Sequence, residues 1–251
     1  MDFTGKVAIA TGAASGMGLL FAQNFASLGG NVVMCDVNLE VLEEKAREIN
    51  ENGKGCAIAV MCDVRNYENV CEVRDRAVAE LGKIDIVVNF AGGYGRRMRG
   101  VDSRLDFPDV PIDVFDWGLD VNLKGPFYFA HSVLKQMKAQ KSGLIINIGS
   151  ITGAEGSPHG MDYPVAKAGI MYGLTKSVAQ YGASHNIRCV CVSPGPVLTR
   201  PDMANMKTLL NRAAEPQEII DLILFIASDK GQFINGENIM IDGGRNAMLR
   251  G

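Results

Sequence analysis

Residues 7–20 read VAIATGAASGMGLL. A short apolar run (residues 7–11) is followed at once by a turn holding Gly12, Gly16 and Gly18, and then by the helical pattern of residues 19–28. That order of strand, glycine turn and helix is what a dinucleotide pyrophosphate requires. The backbone must turn sharply, approach the phosphates closely and let the helix pack on the strand, while the helix N-terminus presents free N–H groups and a positive dipole end. The same stretch fixes the fold class, because the alternation it starts continues along the chain. Further apolar runs at 31–36, 56–63, 84–89, 143–149, 187–193 and 238–242 bring the candidate strands to seven. Segments with apolar residues at three- and four-residue spacing separate them, such as Val41, Leu42, Ala46 and Ile49. Parallel strands need crossover connections, so the pattern predicts an α/β fold: a doubly wound, Rossmann-type parallel sheet of about seven strands with helices on both faces. No linker or charge block interrupts it, and residues 1–251 are expected to form a single domain.

In such sheets ligands bind beyond the carboxyl ends of the strands. Asp36 closes the second strand, where a carboxylate accepts hydrogen bonds from both hydroxyls of an adenosine ribose and repels the extra phosphate of NADP; neither Val37 nor Asn38 supplies a compensating cation. NAD is therefore the expected cofactor. The alternative use of Asp36 is to cap the helix beginning near Leu39, a position Asn38 fills equally well. Asp63 ends the third candidate strand and Asn89 the fourth, followed by Ala91, Gly92 and Gly93, small residues over which an adenosine can lie. Ser150 follows the fifth. Tyr163 and Lys167, within YPVAK, stand one helical turn apart, so the lysine ammonium shares a face with the phenol. A nearby cation stabilises a phenolate and lowers its pKa from about 10, which makes Tyr163 a general acid/base. Pro164 is tolerated in a first helical turn.

Together these segments resemble the short-chain dehydrogenase/reductase family over essentially the whole chain. The resemblance is carried by TGAASGMG, Asp63, Asn89-Phe90-Ala91-Gly92, Asn122 in DVNLKG, Ser150, YPVAK and PGPVLT at 194–199. The family pattern usually has a second Asn where Phe90 stands. The resemblance implies an NAD-dependent oxidoreductase interconverting a secondary alcohol and a ketone by hydride transfer. Tyr163 would exchange the proton, Ser150 would hydrogen-bond the substrate oxygen, and Lys167 would lower the phenol pKa and hold the nicotinamide ribose. Asn122 would support a water leading protons to solvent. Pro194, Gly195, Val197 and Thr199 would receive the nicotinamide carboxamide and the phosphates. Gly12, Ser15, Gly16, Met17, Gly18, Asp36, Asp63, Val64, Asn89, Ala91 and Gly92, with Tyr163 and Lys167, complete the expected cofactor contacts. The C-terminal NGENIMIDGGRN is similar to a segment that often packs between subunits, which implies a homotetramer, with a dimer second.

Composition narrows the partners. The formal charge of −3 and pI near 5.7 give no drive toward nucleic acid or an anionic membrane. The longest apolar stretches fall far short of the roughly 20 residues a membrane helix needs, and the first residues do not resemble a secretory signal, so a cytoplasmic protein acting on a small molecule is expected. The 6 cysteines form no CxxC pair, and no metal site is expected; Cys189 and Cys191 read as small buried hydrophobes.

Substrate information is thinner. A hydroxysteroid and a polyol or sugar fit, a 3-oxoacyl thioester fits less well because Asp36 points to NAD, and a non-catalytic NAD-binding regulator would not need the proton-transfer pair. The region between Gly92 and Asn122 is longer than usual and carries Arg96, Arg97 and Arg99. Either these meet an anionic substrate group or they are solvated charges balanced by Asp102, Asp106 and Asp109. Between Thr199 and Pro216, where a substrate lid is expected, Met203, Met206, Leu209 and Leu210 read as an apolar flap or as helix-packing residues. His159 reads as a loop residue.

Overall fold

The computed structural model describes residues 1–102 and 104–248. The chain alternates β1 (Val7–Thr11), α1 (Gly16–Ser27), β2 (Asn31–Asp36), α2 (Leu39–Asn52), β3 (Ala57–Met61), α3 (Tyr67–Leu81) and β4 (Ile86–Asn89). It continues through α4 (Gly95–Met98), α5 (Ile112–Leu119), α6 (Gly125–Gln140), β5 (Gly143–Ile148), α7 (Thr152–Glu155), α8 (Asp162–Ala168), α9 (Thr175–Gly182), β6 (Ile187–Pro194), α10 (Pro216–Ala227) and β7 (Asn238–Ile241). The sheet order is β3-β2-β1-β4-β5-β6-β7 and every pairing is parallel. The order reverses between β1 and β4, which places the ligand crevice at their carboxyl ends.

All seven expected strands are present. Their ends differ by one or two residues: 56–63 shortens to Ala57–Met61, and 84–89 to Ile86–Asn89.

Both faces of the sheet are covered, so the strands are mostly apolar; all six residues of β5 are buried. On one face Ala8, Ala10, Val32, Val88 and Ile146 meet Phe21 and Phe25 of α1, Leu42 of α2 and Ile219 and Ile223 of α10. On the other, Ile9, Val33, Val87 and Ile145 meet Val70 and Val73 of α3, Phe129 and Val133 of α6 and Val178 of α9. Fully burying a side chain such as Phe21 contributes roughly 1.5–3 kcal/mol.

One line of polar groups crosses this interior. Asn89 Nδ2 donates to Asn147 Oδ1 (2.9 Å), Asn147 Nδ2 to Thr175 Oγ1 (3.1 Å), and Thr175 Oγ1 to the Ile170 carbonyl (2.6 Å). Asn89 and Asn147 are directly opposed in the β4–β5 register. Ile170 lies in a π-helical turn, Gly169–Leu174, joining α8 to α9. A second such turn, Asp120–Lys124, joins α5 to α6. There Asn122 Nδ2 donates to the Gly118 carbonyl (2.8 Å), serving backbone that the widened turn leaves unpaired.

Candidate active site

The glycine turn is built as its spacing predicts. Gly12 has φ +62, and a Cβ on Gly18 would stand 2.4 Å from the Gly12 carbonyl oxygen, so helix and turn approach to a distance only glycine permits. Ser15 caps α1 in extended conformation without a side-chain cap bond, and Ser15 and Gly16 are exposed. Met17 packs against the core. At the end of β2, Asp36 accepts from Ala14 N (3.2 Å) and Asn38 N (3.1 Å). Asn38, not Asp36, caps α2, accepting from Val41 N. The Asp36 carboxylate is thus fixed at the rim of the turn by backbone groups on both sides. This glycine cradle with an oriented carboxylate fits the pyrophosphate and ribose of a nicotinamide dinucleotide.

Asp63 stands at the same edge, held by the Arg65 fork (2.9 and 2.6 Å), which draws its carboxyl below the usual range. Val64 is buried against Gly125. The Asn89 side chain is committed to Asn147 inside the sheet, and its Oδ1 has no partner among the described residues. Ala91 N donates to Thr11 Oγ1 (2.8 Å) and draws the loop after β4 over the turn. Phe90, where the family pattern has Asn, packs its ring on Phe21 at 5.6 Å, so the departure serves the core.

Asn122, fully buried, accepts from Gly93 N (3.0 Å) and donates to the carbonyls of Gly93 (2.9 Å) and Gly118. Both amide protons and one oxygen lone pair are thus committed to backbone on two segments. A Cβ on Gly92 would stand 2.7 Å from Asn122 Oδ1 and 3.5 Å from Lys167 Nζ, so this bare backbone is what lets the three meet. At the end of β6 the Pro194 carbonyl accepts from Ile151 N (2.9 Å), tying it to the Ser150 loop. Gly195 N donates to the Ile241 carbonyl, buried Val197 bridges Ala214, and Thr199 lies exposed beyond it.

Tyr163 and Lys167 share a face of α8, with Nζ 5.3 Å from the ring centroid. Ser150 hydrogen-bonds the phenol, which pulls its pKa down; burial pushes it up more strongly. The Lys167 ammonium, only 4% exposed, lies against the ring and donates to the Ile148 carbonyl (2.7 Å). Burial brings its own pKa down to about 8. Between about 8 and its ordinary 10.5 the unfolded chain therefore binds more protons than the folded one, so this group makes stability rise with pH across that window. Urea unfolding of wild type and Lys167→Met should show the difference between them moving in favour of wild type by about 2 kcal/mol from pH 8 to 10.5. A difference independent of pH would remove this account.

Three residues at the site escaped the sequence reading. The Tyr94 ring lies 5.1 Å from that of Tyr163, with its hydroxyl donating to Ser157 Oγ (2.7 Å). Asp162, 3% exposed, accepts from Gly95 N (3.0 Å) and so ties α4 to α8. Arg200 acts electrostatically on the Tyr163 phenol. Their positions beside AGG, YPVAK and PGPVLT were the available signal. The loop arginines also sort differently from either expectation. Arg96 is buried and donates to the Leu105 carbonyl (2.7 Å), Arg99 pairs with Asp113 (2.7 Å), and Asp102 pairs with Arg104 instead. Residues 201–205 form a 3-10 turn, so the segment over the site is not an amphipathic α-helix; Leu209 and Leu210 are exposed, and Met203 and Met206 are half-buried. His159 is an exposed loop residue. Cys189 and Cys191 are fully buried, with thiols pushed up to about 12 and about 11, which leaves them unreactive.

A family model described as enoyl-(acyl carrier protein) reductase matches residues 12–246. The chain belongs to the short-chain dehydrogenase/reductase family. Among curated members it is 38% identical to trans-4-hydroxycyclohexanecarboxylate dehydrogenase of Sinomonas cyclohexanicum, over 96% of this chain and 93% of that one. Two solved members of the family superpose closely. L-sorbose reductase of Gluconobacter frateurii, complexed with NADPH and L-sorbose, matches at TM-score 0.89 and 26% identity, covering 99% of each chain. An NAD+-bound xylitol dehydrogenase matches at TM-score 0.87 and 29% identity, covering 97% of this chain and 100% of that one. As a short-chain dehydrogenase/reductase the chain is an oxidoreductase acting on alcohols and ketones. Among the described residues no helix is long and apolar enough to cross a membrane.

Proposed function

We propose that this enzyme uses NAD to interconvert a secondary alcohol and a ketone, with Ser150, Tyr163, Lys167 and Asn122 as its working residues. The observation that carries the reading is the convergence of Ser150 and Lys167 on Tyr163 at the sheet edge that also holds the glycine turn. The bound nicotinamide supplies the hydride acceptor or donor. Tyr163 takes or gives the proton at the substrate oxygen, and Ser150, hydrogen-bonded to the same phenol, stabilises charge developing on that oxygen. Lys167 holds the cofactor ribose and orients the ring that lies over it. Asn122 fixes the loop at Gly93 so that Gly92 passes close to Lys167. Gly12, Ser15, Gly16, Met17, Gly18, Asp63, Val64, Asn89, Ala91, Pro194, Gly195, Val197 and Thr199 line the path of the dinucleotide.

The choice of NAD rests on Asp36. Its carboxylate is held by two backbone N–H groups, which supports a role in accepting the adenosine ribose hydroxyls, and it would repel a phosphate there. Initial rates on a panel of secondary alcohols, including 4-hydroxycyclohexanecarboxylates, pentitols and hydroxysteroids, test the reaction and the cofactor together. Wild type is expected to prefer NAD; Asp36→Ala is expected to raise KM for NAD about tenfold and narrow the preference. A wild-type preference for NADP would overturn the assignment.

The same reading takes residues 1–251 as one domain acting in the cytoplasm, where the free cysteines, four of them buried, stay reduced. It also takes the protein as a homotetramer, or failing that a dimer. Exposed Phe127 on α6, Val165 on α8, Tyr181 on α9 and Phe233 ahead of β7 are apolar surface that further copies would cover.

A further inference from the structure

We propose that Arg245, beyond the end of β7, is a positioning residue for the reaction: by gripping Glu155 it holds the α7 turn so that the Ser150 hydroxyl stays on the Tyr163 phenol. The proposal deepens the oxidoreductase reading and rests on it for what Ser150 does there.

The contacts run without a break from Arg245 to Ser150. The loop after β7 ends in a 3-10 turn, Arg245–Ala247. Asp242 fixes its backbone, Oδ1 accepting from Gly244 N (2.9 Å) and Oδ2 from Asn246 N (2.7 Å). From this turn the Arg245 guanidinium reaches Glu155, with Nε 3.0 Å from Oε1 and Nη2 3.0 Å from Oε2. Its remaining nitrogen, Nη1, donates to the Lys207 carbonyl (3.0 Å), in the segment over the site. The two charged side chains are only 23% and 21% exposed, so solvent and salt screen them less than a surface pair. A planar guanidinium that serves a carboxylate and a carbonyl at once is fixed in direction, as an ammonium on a flexible stem is not.

Glu155 closes α7, and Ser150 stands just before the other end of the same turn. Thr152 N, in the first residue of α7, donates to Ser150 Oγ (3.2 Å). That bond occupies a lone pair of the hydroxyl and restricts the directions left for its bond to Tyr163. The Ser150 carbonyl accepts from Gly153 N (2.9 Å), and the Ile151 carbonyl from Ala154 N (2.9 Å) and Glu155 N (3.0 Å), so Ser150 and Glu155 move as one unit. A helix of four residues has too few internal hydrogen bonds to stand by itself, and its orientation depends on what holds its ends. Buried Ile151, bonded to the Pro194 carbonyl, holds the near end. Arg245 holds the far end, where Gly156 at φ +74 turns the chain away.

The test follows oxidation of trans-4-hydroxycyclohexanecarboxylate, xylitol and cholate by NAD across pH in wild type, Ser150→Ala, Arg245→Met, Arg245→Lys and Glu155→Gln. Arg74→Met, which breaks an ion pair with Asp75 on α3, controls for the loss of such a pair elsewhere. The Ser150 hydroxyl favours the ionised phenol. The other charged or titratable groups acting on Tyr163 or lying against it, Lys167 on its own helix with Tyr94, Arg97 and Arg200 from other segments, are kept in every variant. When the hydroxyl drifts, the rise of kcat with pH should therefore move to higher pH. Arg245→Met and Glu155→Gln are each expected to lower kcat about tenfold and to move the profile in the direction of Ser150→Ala, with NADH affinity unchanged. Arg245→Lys should recover part of the loss, and the double variant should be no worse than either single one, because both break the same tie. A profile left where wild type has it would overturn the proposal. So would an equal shift in Arg74→Met, or a loss of NADH affinity in step with kcat, which would give Arg245 a general structural role.

Amide exchange at Thr152, read by NMR without substrate, does not depend on turnover. It should quicken about tenfold in Arg245→Met, and unchanged exchange would overturn the proposal. An unmoved profile in Ser150→Ala with faster Thr152 exchange in Arg245→Met would sink the reading of Ser150 and leave the hold on α7 standing. A moved profile in Ser150→Ala with neither change in Arg245→Met would do the reverse.

Discussion

Tyr163→Phe is expected to lower kcat about 1,000-fold while leaving NADH affinity and thermal stability near wild type. General acid/base transfer by a positioned side chain contributes roughly 10²–10⁴-fold, and this substitution removes the proton-bearing atom alone. The ring would still lie against Tyr94 at 5.1 Å and under the Lys167 ammonium at 5.3 Å, so the packing that fixes α8 survives. One compensation is lost, the hydrogen bond between the phenol and Ser150, and a small loss of stability, about 1 kcal/mol, should accompany it. Steady-state rates at saturating NAD and alcohol, with NADH binding followed by fluorescence, decide the matter. If kcat fell less than about tenfold, a water or another residue would be carrying the proton.

Gly18→Ala should be the most damaging single-methyl change in the cofactor turn. The added Cβ would meet the Gly12 carbonyl at 2.4 Å and its carbon at 2.9 Å, and both are backbone atoms that cannot rotate aside. To relieve the clash, α1 must move off β1, which disturbs Phe21 and Phe25 beneath it and opens the turn that would cradle the pyrophosphate. Overpacking of this kind costs about 1–3 kcal/mol, and NADH affinity should fall at least tenfold, about 1.4 kcal/mol. Gly173→Ala is the matched control: a Cβ there meets nothing within 4 Å, so both stability and NADH binding should be unchanged or slightly improved. Wild-type NADH affinity in Gly18→Ala would show that the turn does not hold the cofactor.

The parts of this site that the sequence made legible are those in which chemistry and local spacing coincide. Glycines between a strand and a helix, an acid at a strand end, and a phenol and an amine one turn apart each state their geometry within a few residues. The parts it hid depend on pairings between distant segments. Tyr94 meets Tyr163, and Gly95 meets Asp162 67 positions further along the chain, and no periodicity in either segment announces the partner. The arginine cluster shows the same limit more sharply. Arg96, Arg97 and Arg99 look alike as a charged run, yet one is buried, one is neutralised by an acid from α5 and one stays exposed near Tyr163. For Lys167, spacing gives proximity to the Tyr163 ring but not the hydrogen-bond partner of its ammonium. The carbonyl of Ile148, which claims it, belongs to another element altogether.

The Asn89–Asn147–Thr175 line bears on how the sheet finds its alignment. Strands covered on both faces are apolar at most positions, so sliding one of them along its neighbour would still bury oil against oil, and the hydrophobic effect alone would choose poorly among the alternatives. Amides are less forgiving. Displacing β4 by a single step against β5 would part Asn89 from Asn147 and strand buried amide atoms on both at about 1–3 kcal/mol apiece. The three side chains therefore act as a key cut into an otherwise smooth surface: they add little to how strongly the centre of the sheet holds together, and much to whether Ser150 and the loop after Asn89 arrive opposite one another.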